Sequence, residues 1–162
     1  MTLHANCDDE MKVYFDGVLQ PSDPAMATFK LSSELTIPGG TQVLAIECLN
    51  TGGVEGFLAS TDKGVVTDAT WSCSRNTVEG WTEPGFQDTS GSFTPPVLQG
   101  TNEGFKEIHK FIEGIDRRAN WIRPETDESA PSHAYCRKNI RGEFITFKVF
   151  INSLCNLQQE PG

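Results

Sequence analysis

The chain has 162 residues, with 22 acidic against 13 basic side chains and a net charge of −9. That balance argues against a phosphate-backbone binder, which needs clustered Lys and Arg to replace counterions, and against docking on anionic lipid. At 37% hydrophobic the chain can bury a core, while 15 Gly and 9 Pro favour short strands and turns over long helices.

No run reaches the roughly 20 apolar residues of a membrane span. Neither nucleic acid nor membrane insertion is therefore expected. Residues 1–5 show no signal-peptide pattern of a basic start followed by an apolar run.

In chain order, residues 11–16 alternate strictly. Met11, Val13 and Phe15 point one way and Lys12, Tyr14 and Asp16 the other, the period of a half-buried strand. Asp16-Gly17 then supplies a hairpin turn. Pro21 and Pro24 bracket a loop, and residues 27–31 read as a weak strand. After the turn at Pro38-Gly39-Gly40, residues 41–49 form the strongest strand of the chain. Leu44, Ile46 and Cys48 share one face and Val43, Ala45 and Leu49 the other, so this strand should be central and covered on both sides.

Short strands are expected over 54–60, 65–68 and 70–74. Residues 75–104 are rich in Gly, Pro, Ser and Thr but hold Trp81, Phe86 and Phe93, which suits a packed loop that presents function. Phe105, Ile108, Ile112 and Ile115 recur at spacings of three and four and predict a short helix over 105–115. Residues 119–122, 134–140 and 144–151 complete the strands, the last with Ile145, Phe147, Val149 and Ile151 as a core face. The sum is an all-β fold: an antiparallel jelly-roll β-sandwich with one short helix. It forms a single domain over 1–155, followed by a flexible tail at 156–162.

Cysteines stand at 7, 48, 73, 136 and 155, with no pair at zinc-ligand spacing. Two disulfides and one leftover thiol in a secreted protein are expected. Cys48, inside an apolar strand, is the expected unpaired residue. A free thiol would offer a route to a homo-oligomer. No Asn-x-Ser/Thr site is present, so no N-glycan is expected.

Several stretches resemble, in order, the motifs of galactose-binding-domain-like β-sandwich modules, which occur as lectins and as accessory domains of glycoside hydrolases. They are Asp8-Asp9-Glu10 with Val13 to Gly17, the strand from Pro38 to Glu47, Asn50 to Gly53 with Gly56 to Ala59, and Thr67 to Ser72. Gly80-Trp81 with Phe86 to Ser90, and Ala119 to Ile122 with Tyr135 to Lys138, continue the series. The likeness spans roughly residues 8–148. Gln87, Ser92 or Phe93, and Arg123 depart from the family pattern, which expects Asp, Trp and Trp there.

The resemblance implies a secreted, non-enzymatic carbohydrate-binding module or lectin. Its ligand would be a neutral, galactose-type sugar held by loops at one end of the sandwich. A sugar site wants an aromatic ring under the C–H face and carboxylates or guanidinium forks at the hydroxyls. Trp81 is the expected stacking residue, with Arg75, Glu83 and Asp88 at the hydroxyls, whereas Trp71 and Trp121 sit in strands and belong to the core. Arg137 follows a strand Cys and should pair with a buried acid. No cofactor is required by the sequence; calcium is the candidate ion, held by the run Asp8-Asp9-Glu10, with Asp8 and Asp9 foremost, or by Asp62 near Asp68, although EF-hand spacing is absent. His4, His109 and His133 accompany no nucleophile motif, so no enzyme is expected. The alternative reading is an extracellular structural or protein-interaction (matrix) module on the same fold.

Overall fold

The computed structural model describes residues 1–28, 30–103 and 111–141. Among them are ten strands: β1 (Thr2–Cys7), β2 (Glu10–Phe15), β3 (Val18–Leu19), β4 (Ser33–Thr36), β5 (Val43–Asn50), β6 (Phe57–Thr61), β7 (Ser72–Ser74), β8 (Val97–Thr101), β9 (Asn120–Arg123) and β10 (Ser132–Asn139). They form two antiparallel five-stranded sheets, in the orders β4-β1-β6-β9-β8 and β3-β2-β5-β10-β7. The chain passes repeatedly from one sheet to the other, and the layers enclose an apolar interior as expected for a sandwich.

The alternation in β2 decides its orientation. Met11, Val13 and Phe15 are buried in the interlayer core, and Lys12 faces solvent. Asp16 and Gly17 both take positive φ, at 47° and 83°, as a two-residue hairpin loop demands. Asp16 holds its own strained backbone in place by accepting the N–H groups of Gln42 and Val43.

β5 is the middle strand of the second sheet and is covered on both sides. Leu44, Ile46 and Cys48 enter the interlayer core, while Val43 and Ala45 lie under Trp81 on the other side. Trp71 and Trp121 are buried as expected, Trp121 within β9 and Trp71 in the bend just before β7 rather than in a strand. Trp71 donates from Nε1 to the Val66 carbonyl and meets the Phe57 ring edge-on at 5.2 Å. Trp121 belongs to a second cluster with Leu58, Ile112, Ile115 and Ala119.

Two disulfides form among the described residues. Cys7–Cys48 ties β1 in one layer to β5 in the other, and Cys73–Cys136 joins neighbouring β7 and β10. Cys48 is therefore paired, contrary to the expectation that it is the free thiol. Its place on the inward face of β5 puts it opposite the end of β1, with Cα atoms 5.9 Å apart. Loops of 41 and 63 residues are closed, so the chain-entropy model assigns each bridge about 4 kcal/mol.

Two further expectations are corrected. The described residues among 27–31 are not in a strand, and the helical turn nearby is a 3-10 turn over Pro24–Ala27, capped by the Asp23 carboxylate at the Ala25 and Met26 N–H groups. The helix over 105–115 falls mostly outside the described residues, but its last part, 111–115, is irregular chain with a turn at 113–114. Ile112 and Ile115 are buried as their spacing suggests, yet Asn102 takes their backbone groups. Its amide donates to both carbonyls and accepts the Ile112 N–H, leaving no helical ladder there. The strand over 144–151, the tail and Cys155 lie outside the described residues.

Candidate functional site

The outward face of the second sheet carries a polar cluster built by strand register. Glu47 on β5 stands across from Lys12 on β2 and from Tyr135 on β10. Tyr14 and His133 lie one step away diagonally on the same face. The Lys12 ammonium is 3.2 Å from both Glu47 carboxylate oxygens, and the Tyr14 hydroxyl donates to Oε2 at 3.4 Å. His133 stacks parallel on Tyr135 at 5.8 Å between centroids. Its buried Nδ1 lies 3.4 Å from Glu47 Oε1 without forming a hydrogen bond.

The Glu47 side chain is 15% exposed, at the floor of a notch of about 70 Å³ walled by Glu10, Lys12, Leu49 and His133. Electrostatics follow from this packing. The hydrogen bond to Glu47 holds the Lys12 ammonium above its ordinary pKa. Burial first, and then the Glu47 charge, raises both the Tyr14 and the Tyr135 phenols. The floor brings a carboxyl group, an amine, a phenol and an imidazole together within one small volume.

The notch is half of a larger face. The loop between β7 and β8 roofs the other half with rings. Trp81 lies on Val43 and Ala45, stacked with Phe93 at 5.9 Å and meeting Tyr14 and Tyr135 edge-on at 5.8 and 5.4 Å. Phe86 packs edge-on against Phe93, and the Arg137 guanidinium sits 4.7 Å over the Phe86 ring. Arg137 thus meets a ring rather than the buried acid expected for it, and burial lowers its pKa. Tyr14 and Tyr135 form the wall where roof and notch meet.

The four residues expected to form a sugar site at the loops are not gathered in one place. Trp81 is only 8% exposed, with Phe93 against it, so its ring belongs to the roof. Asp88 organises that loop. Its carboxylate accepts the Ser90 hydroxyl and N–H and the Phe93 N–H, and these bonds, the Ser90 hydroxyl foremost, lower its pKa. Arg75 forks onto the Glu55 carboxylate and donates to the carbonyls of Thr126 and His133. Glu83 lies toward the other end of β10, where its carbonyl accepts from Arg137. His133 and Arg137 are four residues apart on one strand, about 13 Å.

Of the expected calcium ligands, Asp9, Asp62 and Asp68 are hydrogen-bonded within the fold and Asp8 is buried. Asp9, at φ 81°, accepts the Thr51 N–H and hydroxyl at 2.6 Å each. Asp8 is 6% exposed, and burial, reinforced by the charges of Asp9 and Glu55, raises its carboxyl to about 7. Asp62 accepts the Thr2 N–H, and Asp68 accepts the N–H and hydroxyl of Thr70. Among the described residues no three or more His, Cys, Asp or Glu side chains are arranged to hold a metal ion.

Half of the notch was readable in the sequence, since the alternation of β2 already turned Lys12 and Tyr14 away from the core. The alternation of β5 likewise put Glu47 on the face of Val43, Ala45 and Leu49, but its meeting with Lys12, His133 and Tyr135 is set by register alone. No protein-family model, curated protein or solved structure matches the chain. No helix of the described residues is long and apolar enough to cross a membrane.

Proposed function

We propose that this protein is a secreted, non-enzymatic carbohydrate-binding module, and that its sugar is held in the notch on the outward face of the second sheet. The observation that carries the reading is Glu47. It is a nearly buried carboxylate within 3.4 Å of an ammonium, a phenol and an imidazole, beside stacked aromatic rings. Sugar hydroxyls need acceptors and donors fixed close together, and their C–H groups need an apolar or aromatic neighbour. Leu49 and the His133 ring supply the latter. The Lys12–Glu47 pair balances itself, and the acidic chain disfavours anionic ligands, so the ligand is neutral.

The resemblance to galactose-binding-like modules supports this reading, and two disulfides suit an oxidising, extracellular setting. The reading moves the site from the loop end to the sheet face. A glycan array run with the wild type and Glu47→Gln tests it. Binding to neutral galactosides that disappears in the variant, with an unchanged circular dichroism spectrum, is the expected result. Wild-type binding that survives the substitution, or no neutral glycan bound at all, would overturn the assignment.

A further inference from the structure

Beside the notch, across Lys12, lies a second cavity of about 470 Å³. Its lining holds fewer charged side chains: Met11, Leu19, Pro21 and Met26 stand beside the polar Gln20 and Ser22, and Lys12 is its one charged residue. Met11 and Lys12 line both cavities. The two are therefore neighbours along one sheet rather than separate features.

The connection follows from the strands. β3 pairs with β2 so that Leu19 stands across from Tyr14 and shares its outward face. Pro21 ends the pairing, and the chain turns into the 3-10 segment, whose Met26 is buried in the interlayer core. Leu19 is left 54% exposed at the rim of this trough. The edges of two core methionines, with Leu19 and Pro21, give this trough adaptable apolar contacts beside its polar margin.

Resting on the carbohydrate reading above, we infer that the ligand is an amphipathic glycoside. Its sugar sits over Glu47, and its apolar aglycone lies across the Lys12 stem in the Met11–Leu19–Pro21–Met26 trough. The Lys12 methylenes bridge the two compartments while its ammonium stays on Glu47. A glycolipid head and a soluble alkyl or aryl glycoside share this chemistry. The order of compartments fixes the specificity: polar end toward β10, apolar end toward β3.

The test compares methyl β-galactoside with hexyl β-galactoside by titration calorimetry. A buried methylene is worth about 0.8 kcal/mol, up to about fourfold in affinity, so the hexyl compound should bind at least ~10-fold more tightly. Leu19→Asn, at an exposed position, should remove most of that gain and leave methyl galactoside affinity unchanged. Glu47→Gln should abolish binding of both.

Equal affinity for the two galactosides would overturn the inference while leaving the sugar site intact. A hexyl gain that persists in Leu19→Asn would place the chain elsewhere and would also overturn it. If neither galactoside binds, the carbohydrate reading fails and takes the inference with it. Phosphatidylcholine vesicles with and without galactosylceramide then separate the sources. Retention on the galactosylceramide vesicles assigns the ligand to a lipid, and hexyl binding without retention assigns it to a soluble glycoside.

Discussion

Lys12 lies directly across from Glu47 on neighbouring strands, its ammonium equidistant from both carboxylate oxygens. With 57% of the Lys12 side chain exposed, this pair adds little to stability, since exposed ion pairs contribute about 0–1 kcal/mol. Lys12→Ala is therefore expected to shift the chemical-denaturation free energy by less than about 1 kcal/mol while weakening galactoside binding. A large loss of stability in that variant would show that the pair holds the sheet together rather than recognising a ligand.

Trp81 is part of the fold. Trp81→Ala removes the ring that Phe93, Tyr14 and Tyr135 pack around, and large aromatic truncations of this kind cost about 3–5 kcal/mol. Urea denaturation should show a loss of that order. A Trp81→Ala protein as stable as the wild type would mean that the ring is not packed as described.

Gly56 precedes β6 where backbone meets side chain. A Cβ at this position would stand 2.8 Å from the Trp121 ring and 3.1 Å from the Gln99 amide nitrogen. The Trp121 ring is buried and cannot yield, so Gly56→Ala should cost about 1–3 kcal/mol, as overpacked core sites do. A thermal melt indistinguishable from wild type would refute the close approach.

Asp8 gives the protein a dependence on pH. Its carboxyl is raised to about 7 in the fold by burial, against 3.8 for the free group. Between those values the unfolded chain releases this proton and the folded one keeps it, so raising the pH favours unfolding. The Asp8 contribution to stability should therefore fall progressively from about pH 4 to about pH 7 and level off above. Asp8→Asn should flatten that slope and be the more stable protein at pH 8. Denaturation midpoints across pH 4 to 8 that slope equally in both proteins would contradict this.

Periodicity carried most of the fold. Met11, Val13 and Phe15 declared their face, and Leu44 and Ile46 declared a strand with two covered sides. What stayed hidden was long-range. Cys48 looked like an ordinary core residue because its partner lies 41 positions away. Ile112 and Ile115 keep helical spacing, yet in the described stretch their backbone groups go to one Asn102 side chain. The aromatic loop was recognisable as packed, but not that it packs onto Val43 and Ala45 and so closes half of the face. Lys12, Glu47 and His133 converge through the pairing of three strands, and no local pattern specifies that.

The aromatic roof over Val43 and Ala45 makes the open half of the sheet a dead end. A long polymer laid parallel to β5 would run into the Tyr14–Tyr135 wall, so in that direction only a chain terminus can seat itself over Glu47. The roof therefore restricts an occupant of the notch along β5 but not across the strands, from β10 toward β3.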